Sequence, residues 1–334
     1  MCSVDVIIPV YKPGEKFKKL LIMLKKQTVQ PNKIIIFNTE QSFFDNFFYG
    51  TNFLDQFDNL EIRHISRYEF DHGGTRKSAV ALSDSDYFIC MTDDAIPKDK
   101  YLIQNLLVQL VNENAAVSYA CQCVGKKSTD IERFTHKFNY PEKSFFKSSS
   151  DIDKLGIKTY FCSNVCACYN RKIYDELGGF IKKTIFNEDM IFASKVIKAG
   201  YSIYYASEAK VIHNHHYSNI SQLKRNFDLG VSQANNPEIF DEVPSTSEGK
   251  KLVSKTAKYL IEKKKYSKLI TLFVMSAYKY IGYQLGKHYK NIPKKIILKI
   301  TMNPMYWMKP DRDISIDPSY GYGRSHEEDK WNKK

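Results

Sequence analysis

The chain has 334 residues, 43% of them hydrophobic and 26% charged, so it can bury a sizeable core and does not read as disordered. Seven cysteines are spread along it with no C-x-x-C pair, which excludes a small disulfide scaffold and fits a reducing compartment. The net charge of +13 suggests a nucleic-acid binder until it is located: residues 251–300 hold thirteen lysines against one acid, Glu262, whereas residues 1–250 hold thirty-one basic and thirty acidic residues. The excess is therefore a property of one segment, and no nucleic acid is expected as a partner. The first ten residues carry Asp5 inside an apolar run and no basic lead, which is not a secretory signal.

In chain order, VDVIIPV (4–10) is a β-branched strand that stops before Pro13-Gly14. Glu15 to Gln27 places Phe17, Leu20, Leu21 and Leu24 at helical spacing. KIIIFN (33–38) and LEIRHI (60–65) are further strands, Thr75 to Ser83 a short helix, and DYFICMT (86–92) a fourth strand ended by Asp93-Asp94. Tyr101 to Val111 reads as a helix and AAVSYACQC (115–123) as a strand. Such alternation predicts an α/β fold with a parallel sheet flanked by helices. Ligands of such sheets bind beyond the carboxyl ends of the strands, which puts 9–12, 38–41 and 92–95 on one rim.

No G-x-G-x-x-G follows the first strand and no G-x-x-x-x-G-K-[ST] occurs, so the usual backbone cradles for phosphate are missing. The rim offers Asp93 and Asp94 instead. Adjacent carboxylates can face a diphosphate only across a divalent cation, Mg²⁺ or Mn²⁺; the plainer reading is a capping turn. Further on, Asn187-Glu188-Asp189 opens a helix that runs to Gly200, where acids also suit the helix dipole. YSIYY and KVIHNHHY read as two strands, the second carrying His213 and His215 on one face. Cys162, Cys166 and Cys168 in FCSNVCACY, like Cys121 and Cys123, read as core packing rather than a zinc cluster, because no tetrahedral thiolate spacing is present.

VDVIIPVY, FDHGGTRK, MTDDAIP, LGGF, NEDMIFASKVIKAGY and VIHNHHYSNISQLKRNFDLG follow one another in an order and spacing that resembles family 2 glycosyltransferases, and within them the bacterial rhamnosyltransferases. The likeness spans about residues 3–235. YKYIGYQLGKHYKNIPKK and MNPMYW in the tail are similar to the C-terminal extension of those enzymes. The resemblance implies a GT-A fold and inverting, metal-dependent transfer of a sugar from a nucleotide donor, dTDP-L-rhamnose, onto a lipid-linked saccharide in capsule, cell-wall or O-antigen synthesis. Another UDP- or dTDP-hexose, or a nucleotide-sugar-binding protein without activity, are the alternatives. It also implies roles. Asp94 ligates the metal, with His213 or His215 completing the site; Asp93 faces the ribose or a metal-bound water; Asp189 is the catalytic base. Pro9, Tyr11 and Arg76 line the nucleotide pocket, and Gly178 and Gly179 form a loop over the donor sugar. Asn38 stands where the family has Asp, leaving open which of Asn38, Thr39 and Glu40 reads the base.

The expected organisation is a catalytic domain over 1–245, a basic helical extension over 246–308 and a mobile tail over 309–334. LITLFVMSAY (269–278) is apolar but too short to span a bilayer. Two readings compete for the extension: a helical bundle with a solvated lysine face, or an anionic membrane surface engaged through residues 250–300. The second implies a cytoplasmic protein held peripherally on the inner face of the bacterial plasma membrane.

Overall fold

The computed structural model describes residues 2–112, 115–125, 128–214, 217–244 and 246–308. His215 and the 309–334 tail thus lie outside the described residues. Nine strands form one sheet: β1 (Val4–Tyr11), β2 (Ile34–Thr39), β3 (Leu60–Ile65), β4 (Tyr87–Met91), β5 (Ile96–Pro97), β6 (Val117–Cys123), β7 (Phe145–Lys147), β8 (Cys166–Asn170) and β9 (Ile203–Ile212). Their order is β3-β2-β1-β4-β8-β6-β9-β5, with β7 added against β9. β1 runs parallel to β2 and β4, and β2 to β3, so four carboxyl ends share one rim as expected. The sheet is not uniformly parallel: β8 runs antiparallel between β4 and β6, and β5 and β7 are antiparallel to β9.

The strands are continuous apolar runs because both faces are covered. Every residue of β2 and β4 is buried. Alternate side chains go to opposite layers: Ile7, Ile35 and Phe88 pack with Tyr169, Phe180 and Phe192, while Ile8, Ile36 and Ile89 pack with Leu20, Leu21 and Leu24 of the Glu15–Lys25 helix. Asp5, the acid within the first strand, is buried but satisfied by the Lys33 N–H at 2.9 Å and the Ser83 hydroxyl at 2.7 Å.

Several boundaries move for identifiable reasons. The helix expected from Thr75 runs His72–Val80, because Asp71 caps it by accepting from the Gly74 N–H at 2.6 Å. The two strands expected around residues 201–217 are the single β9, which absorbs an irregularity through a register shift opposite Ala120/Cys121 of β6. His213 follows the end of β9, so strand alternation does not set its direction. The cysteines of FCSNVCACY are free and buried, as expected; Cys121 and Cys123 are only half-buried. The helices Gln41–Phe48 and Asp130–Asn139 had no expectation attached.

The basic segment forms the helices Thr246–Glu262, Ser267–Lys287 and Lys294–Ile300. The second lies along the Asn219–Ala234 helix through a G-x-x-x-G pair, Gly282 and Gly286. A Cβ on Gly282 would stand 2.2 Å from the Leu223 carbonyl oxygen, and one on Gly286 2.1 Å from that of Phe227. Tyr283 donates to Gln233 at 2.9 Å, and the buried Asp228 accepts from Thr301 Oγ1 at 2.6 Å and Met302 N–H at 2.9 Å. Backbone contact this close leaves no room for a methyl group. Gly286→Ala should therefore lower stability by about 1–3 kcal/mol, the usual cost of overpacking. Thermal melting checks it; an unchanged midpoint would show that the helices are not held at backbone distance.

Candidate active site

Asp93 and Asp94 follow β4 on the rim. Asp94 Oδ1 lies 3.4 Å from His213 Nε2, and its Oδ2 lies 3.3 Å from the Lys16 ammonium, which also reaches the Asn214 carbonyl at 3.4 Å. Asp93 is pushed up to about 6 by burial and by the neighbouring Asp94. His213 Nδ1 meets Gln122 Oε1 at 3.2 Å, leaving Nε2 directed at Asp94.

Glu188 and Asp189 begin the Glu188–Lys198 helix, preceded by Asn187 in a left-handed conformation. Their fates differ. Glu188 is buried and pairs with Arg76 at 3.0 Å; burial opposes its charge, but Arg76 and His72 outweigh that and hold it below the ordinary carboxylate range. Asp189 stays partly open to solvent. Burial and then the charge of Glu188 raise it to about 7, despite hydrogen bonds from the Asn164 and Met190 N–H groups at 3.0 and 2.8 Å. Two adjacent carboxylates whose environments push them apart are the usual mark of assigned acid–base roles.

The two acidic groups are joined by Ser163-Asn164-Val165, ahead of β8. The Asn164 N–H binds Asp189, and its side-chain amide donates to Glu188 Oε1 at 3.1 Å while accepting from the Tyr169 hydroxyl at 2.7 Å. The Val165 carbonyl accepts from Thr92 N–H at 3.2 Å, one residue before the Asp pair. Ser163 Oγ accepts from Gln122 Nε2 at 3.0 Å, and Gln122 holds His213. The buried Lys147 ammonium, lowered to about 7 by burial, donates to the carbonyls of Lys158 and Phe161 just upstream. Ser163 and Asn164 carried no expectation, since they lie among cysteines that read as core packing. The available signal was two polar residues inside an apolar run.

The remaining expected residues fall on the same rim or beside it. Tyr11, 44% exposed, packs edge-on against Phe43 with ring centroids 5.7 Å apart. Arg67 and Lys12 lie over these rings, Lys12 4.7 Å from the Phe43 centroid and Arg67 5.3 Å from that of Tyr11. Lys12 belongs to the 9–12 stretch expected on the rim; Phe43, at the start of the Gln41–Phe48 helix, and Arg67, in the loop after β3, carried no expectation. Pro9 is opposite Phe37 in the β1–β2 ladder. Asn38 is buried and donates to the Glu40 carbonyl at 3.1 Å, also meeting His64 at 3.0 Å, while its Oδ1 has no hydrogen-bond partner among the described residues. Thr39 is buried, and Glu40, with φ at +67°, accepts from the Arg67 N–H at 2.6 Å. Arg76 is committed to Glu188 and the His72 carbonyl. Gly178 and Gly179 both have positive φ and follow the Arg171–Glu176 helix; a Cβ on Gly179 would enter the Tyr174 ring at 2.6 Å. Packing against Tyr174 accounts for Gly179, whereas Gly178 has open space where a Cβ would stand and is distinguished by its positive φ alone.

A sheet with one acidic rim, an aromatic–cationic platform beside it and a separate raised carboxylate has the perturbed titratable groups that cluster at enzyme active sites. Residues 5–178 match the family described as Glycosyl transferase family 2. The chain is 35% identical over 310 residues to the O-antigen chain rhamnosyltransferase RfbN of Salmonella typhimurium, covering 91% of this chain and 96% of that one. It is 34% identical to the O-antigen chain rhamnosyltransferase WbaN of Salmonella anatum, covering 92% and 96%. Among solved structures, the mannosyltransferase PcManGT of Pyrobaculum calidifontis, in complex with GDP-Man and Mn²⁺, shares the fold at a TM-score of 0.57 and 12% identity, over 87% of this chain and 88% of that one. The chain belongs to glycosyl transferase family 2, and it is a glycosyltransferase of GT-A fold.

Asn164 is the test of how the site is held. Asn164→Ala strips a donor from the buried Glu188 and takes from the Tyr169 hydroxyl its amide acceptor, leaving it the weaker contact with the Cys162 sulfur at 3.7 Å. It should lower unfolding free energy by about 1–3 kcal/mol. An unchanged denaturant midpoint would contradict this.

Proposed function

We propose that the enzyme transfers L-rhamnose from dTDP-L-rhamnose to a lipid-linked saccharide during bacterial O-antigen or related surface-polysaccharide synthesis, with inversion at the anomeric carbon. The observation that carries the reading is the convergence of Asp94, His213 and Asp189 on Ser163-Asn164-Val165. The likeness to two Salmonella enzymes bearing the rhamnosyltransferase name supports the sugar and the acceptor class.

The residues present fit a divalent cation. Asp94 and His213 converge from different elements, and Asp94 already draws a lysine ammonium to its second oxygen. Among the described residues no group of three or more His, Cys, Asp or Glu side chains is gathered to hold a metal, so diphosphate oxygens and water must supply the other ligands, as is usual for Mg²⁺ or Mn²⁺. When bound, the ion would neutralise the charge growing on the leaving diphosphate. Asp94 and His213 would hold it; Asp93 lies within reach of a ribose or a bound water. Tyr11 and Phe43 offer a stacking face for the base.

Asp189 takes the proton of the acceptor hydroxyl. The hydroxyl oxygen bonds to the anomeric carbon from the face opposite the diphosphate, and the breaking carbon–oxygen bond leaves its electron pair on the nucleotide. One displacement inverts the centre and needs one base. Arg76 keeps Glu188 ionised, and the Glu188 charge keeps Asp189 basic enough to accept the proton. We place the reaction at the cytoplasmic face of the plasma membrane, with the basic segment toward anionic lipid. Among the described residues no helix is long and apolar enough to cross a membrane.

A panel of nucleotide sugars with Mn²⁺, read by sugar transfer and by nucleoside-diphosphate release, tests the donor. Asp189→Asn should leave donor binding near normal and cut turnover by about 10²-fold or more. The parent rate should fall as pH drops through about 7, because protonated Asp189 cannot act as base; Asp94→Ala should lose the metal-dependent part of nucleoside-diphosphate binding. Collapse of donor affinity in Asp189→Asn with turnover intact at saturation would make Asp189 a binding residue.

A further inference from the structure

The Ser267–Lys287 helix has two unlike faces. Leu272, Gly282 and Gly286 are buried against the catalytic side of the molecule. On the opposite face Ile270 is 70% exposed, Phe273 58% and Ile281 49%, with Val274, Tyr280 and Leu285 also open. The positions 270, 273, 274, 281 and 285 recur at helical spacing and form one stripe. From Leu269 to Gly286 the helix has a single charged residue, Lys279, and it is half-buried and faces Arg225 of the Asn219–Ala234 helix. A stripe of large apolar side chains free of charge for five turns is not what a solvated surface selects.

Charge is concentrated at its ends. Lys263, Lys264 and Lys268 are exposed at one end and Lys290, Lys294 and Lys295 at the other. The notable exception is Lys265, held by Asp130 at 2.6 Å. A second copy of the chain fits this face poorly. Antiparallel pairing sets one lysine cluster against the other, and parallel pairing sets each against itself. An anionic bilayer meets both demands at once, with lipid headgroups for the lysines and the acyl boundary for the stripe.

We propose that the Ser267–Lys287 helix lies in the plane of an anionic membrane with Ile270, Phe273, Val274, Ile281 and Leu285 inserted below the headgroups. This deepens the membrane-facing part of the reading above and rests on it for the choice of surface. Attachment then has two components. The lysines draw the protein to the surface and are screened by salt; the stripe holds it there and is not.

The full chain is sedimented with vesicles of phosphatidylglycerol and phosphatidylcholine, and with phosphatidylcholine alone, at low and high salt. The parent should bind the mixed vesicles at low salt and keep a bound fraction at high salt. Ile270→Gln/Phe273→Gln/Ile281→Gln should lose that salt-resistant fraction, with affinity down at least about tenfold, since each apolar side chain left in water weakens partitioning. Lys263→Glu/Lys264→Glu/Lys268→Glu should lose mainly the salt-sensitive part. These side chains are exposed, and melting and donor binding confirm that each variant is folded. Binding by the glutamine variant equal to the parent overturns the proposal. So does a parent that ignores vesicles while transferring sugar to a short soluble acceptor, an outcome that leaves the proposed function standing. Vesicle binding by a chain that transfers no sugar would sink the proposed function and leave the stripe. A parent dimer in light scattering that the glutamine variant dissolves would make the stripe a self-association face and overturn membrane insertion.

Discussion

Three residues, Ser163-Asn164-Val165, tie together groups that come from four separate parts of the chain. Asp189 and Glu188 begin a helix, Thr92 follows β4, Gln122 lies in β6 and His213 follows β9. Each meets the tripeptide directly or through one side chain. The antiparallel strand β8 places the tripeptide there, between β4 and β6. Had β8 run parallel, its amino end would lie at the opposite edge of the sheet. The reversal of one strand is therefore what lets a parallel-sheet rim acquire a second acidic group.

The electrostatics depend on unequal pairing. One arginine serves two adjacent carboxylates, and it is bound to Glu188. Glu188 is thereby kept ionised in a buried setting, and its charge then bears on Asp189, which has backbone donors and feels Arg76 only as the weaker, opposing influence. Breaking a buried pair from one side is costly, because the survivor is left charged and unpaired. Arg76 and Glu188 thus form one buried pair whose charges both bear on Asp189, Glu188 raising its proton affinity and Arg76 lowering it.

Much of this was legible in the sequence. Apolar runs marked β1, β2 and β4 because these strands are buried on both faces, and the Asp93-Asp94 and Glu188-Asp189 pairs stood out as acids at element ends. The direction of β8 was not legible, since a buried strand reads alike whichever way it runs. The aromatic platform was hidden for another reason: Phe43 opens a helix and Arg67 lies in the loop after β3, and they meet beside Glu40, a non-glycine residue at positive φ whose carboxylate accepts from the Arg67 N–H. Lysine content flagged the 251–300 segment, but the stripe on the Ser267–Lys287 helix emerged only once Gly282 and Gly286 showed which side is packed. The same apolar letters served either face until then.

The central proposal is that Asp94 and His213 would hold a cation, and Asp189 would act as the base, within one site around Asn164. Paramagnetic relaxation tests it most directly. With asparagine selectively labelled with ¹⁵N, Mn²⁺ is titrated in the presence of a nucleoside diphosphate, and the Asn164 side-chain amide is followed. The account predicts strong broadening of that signal, lost when Asp94 is replaced by alanine. An Asn164 signal that stays sharp while Mn²⁺ binds, or that broadens equally without Asp94, would contradict it.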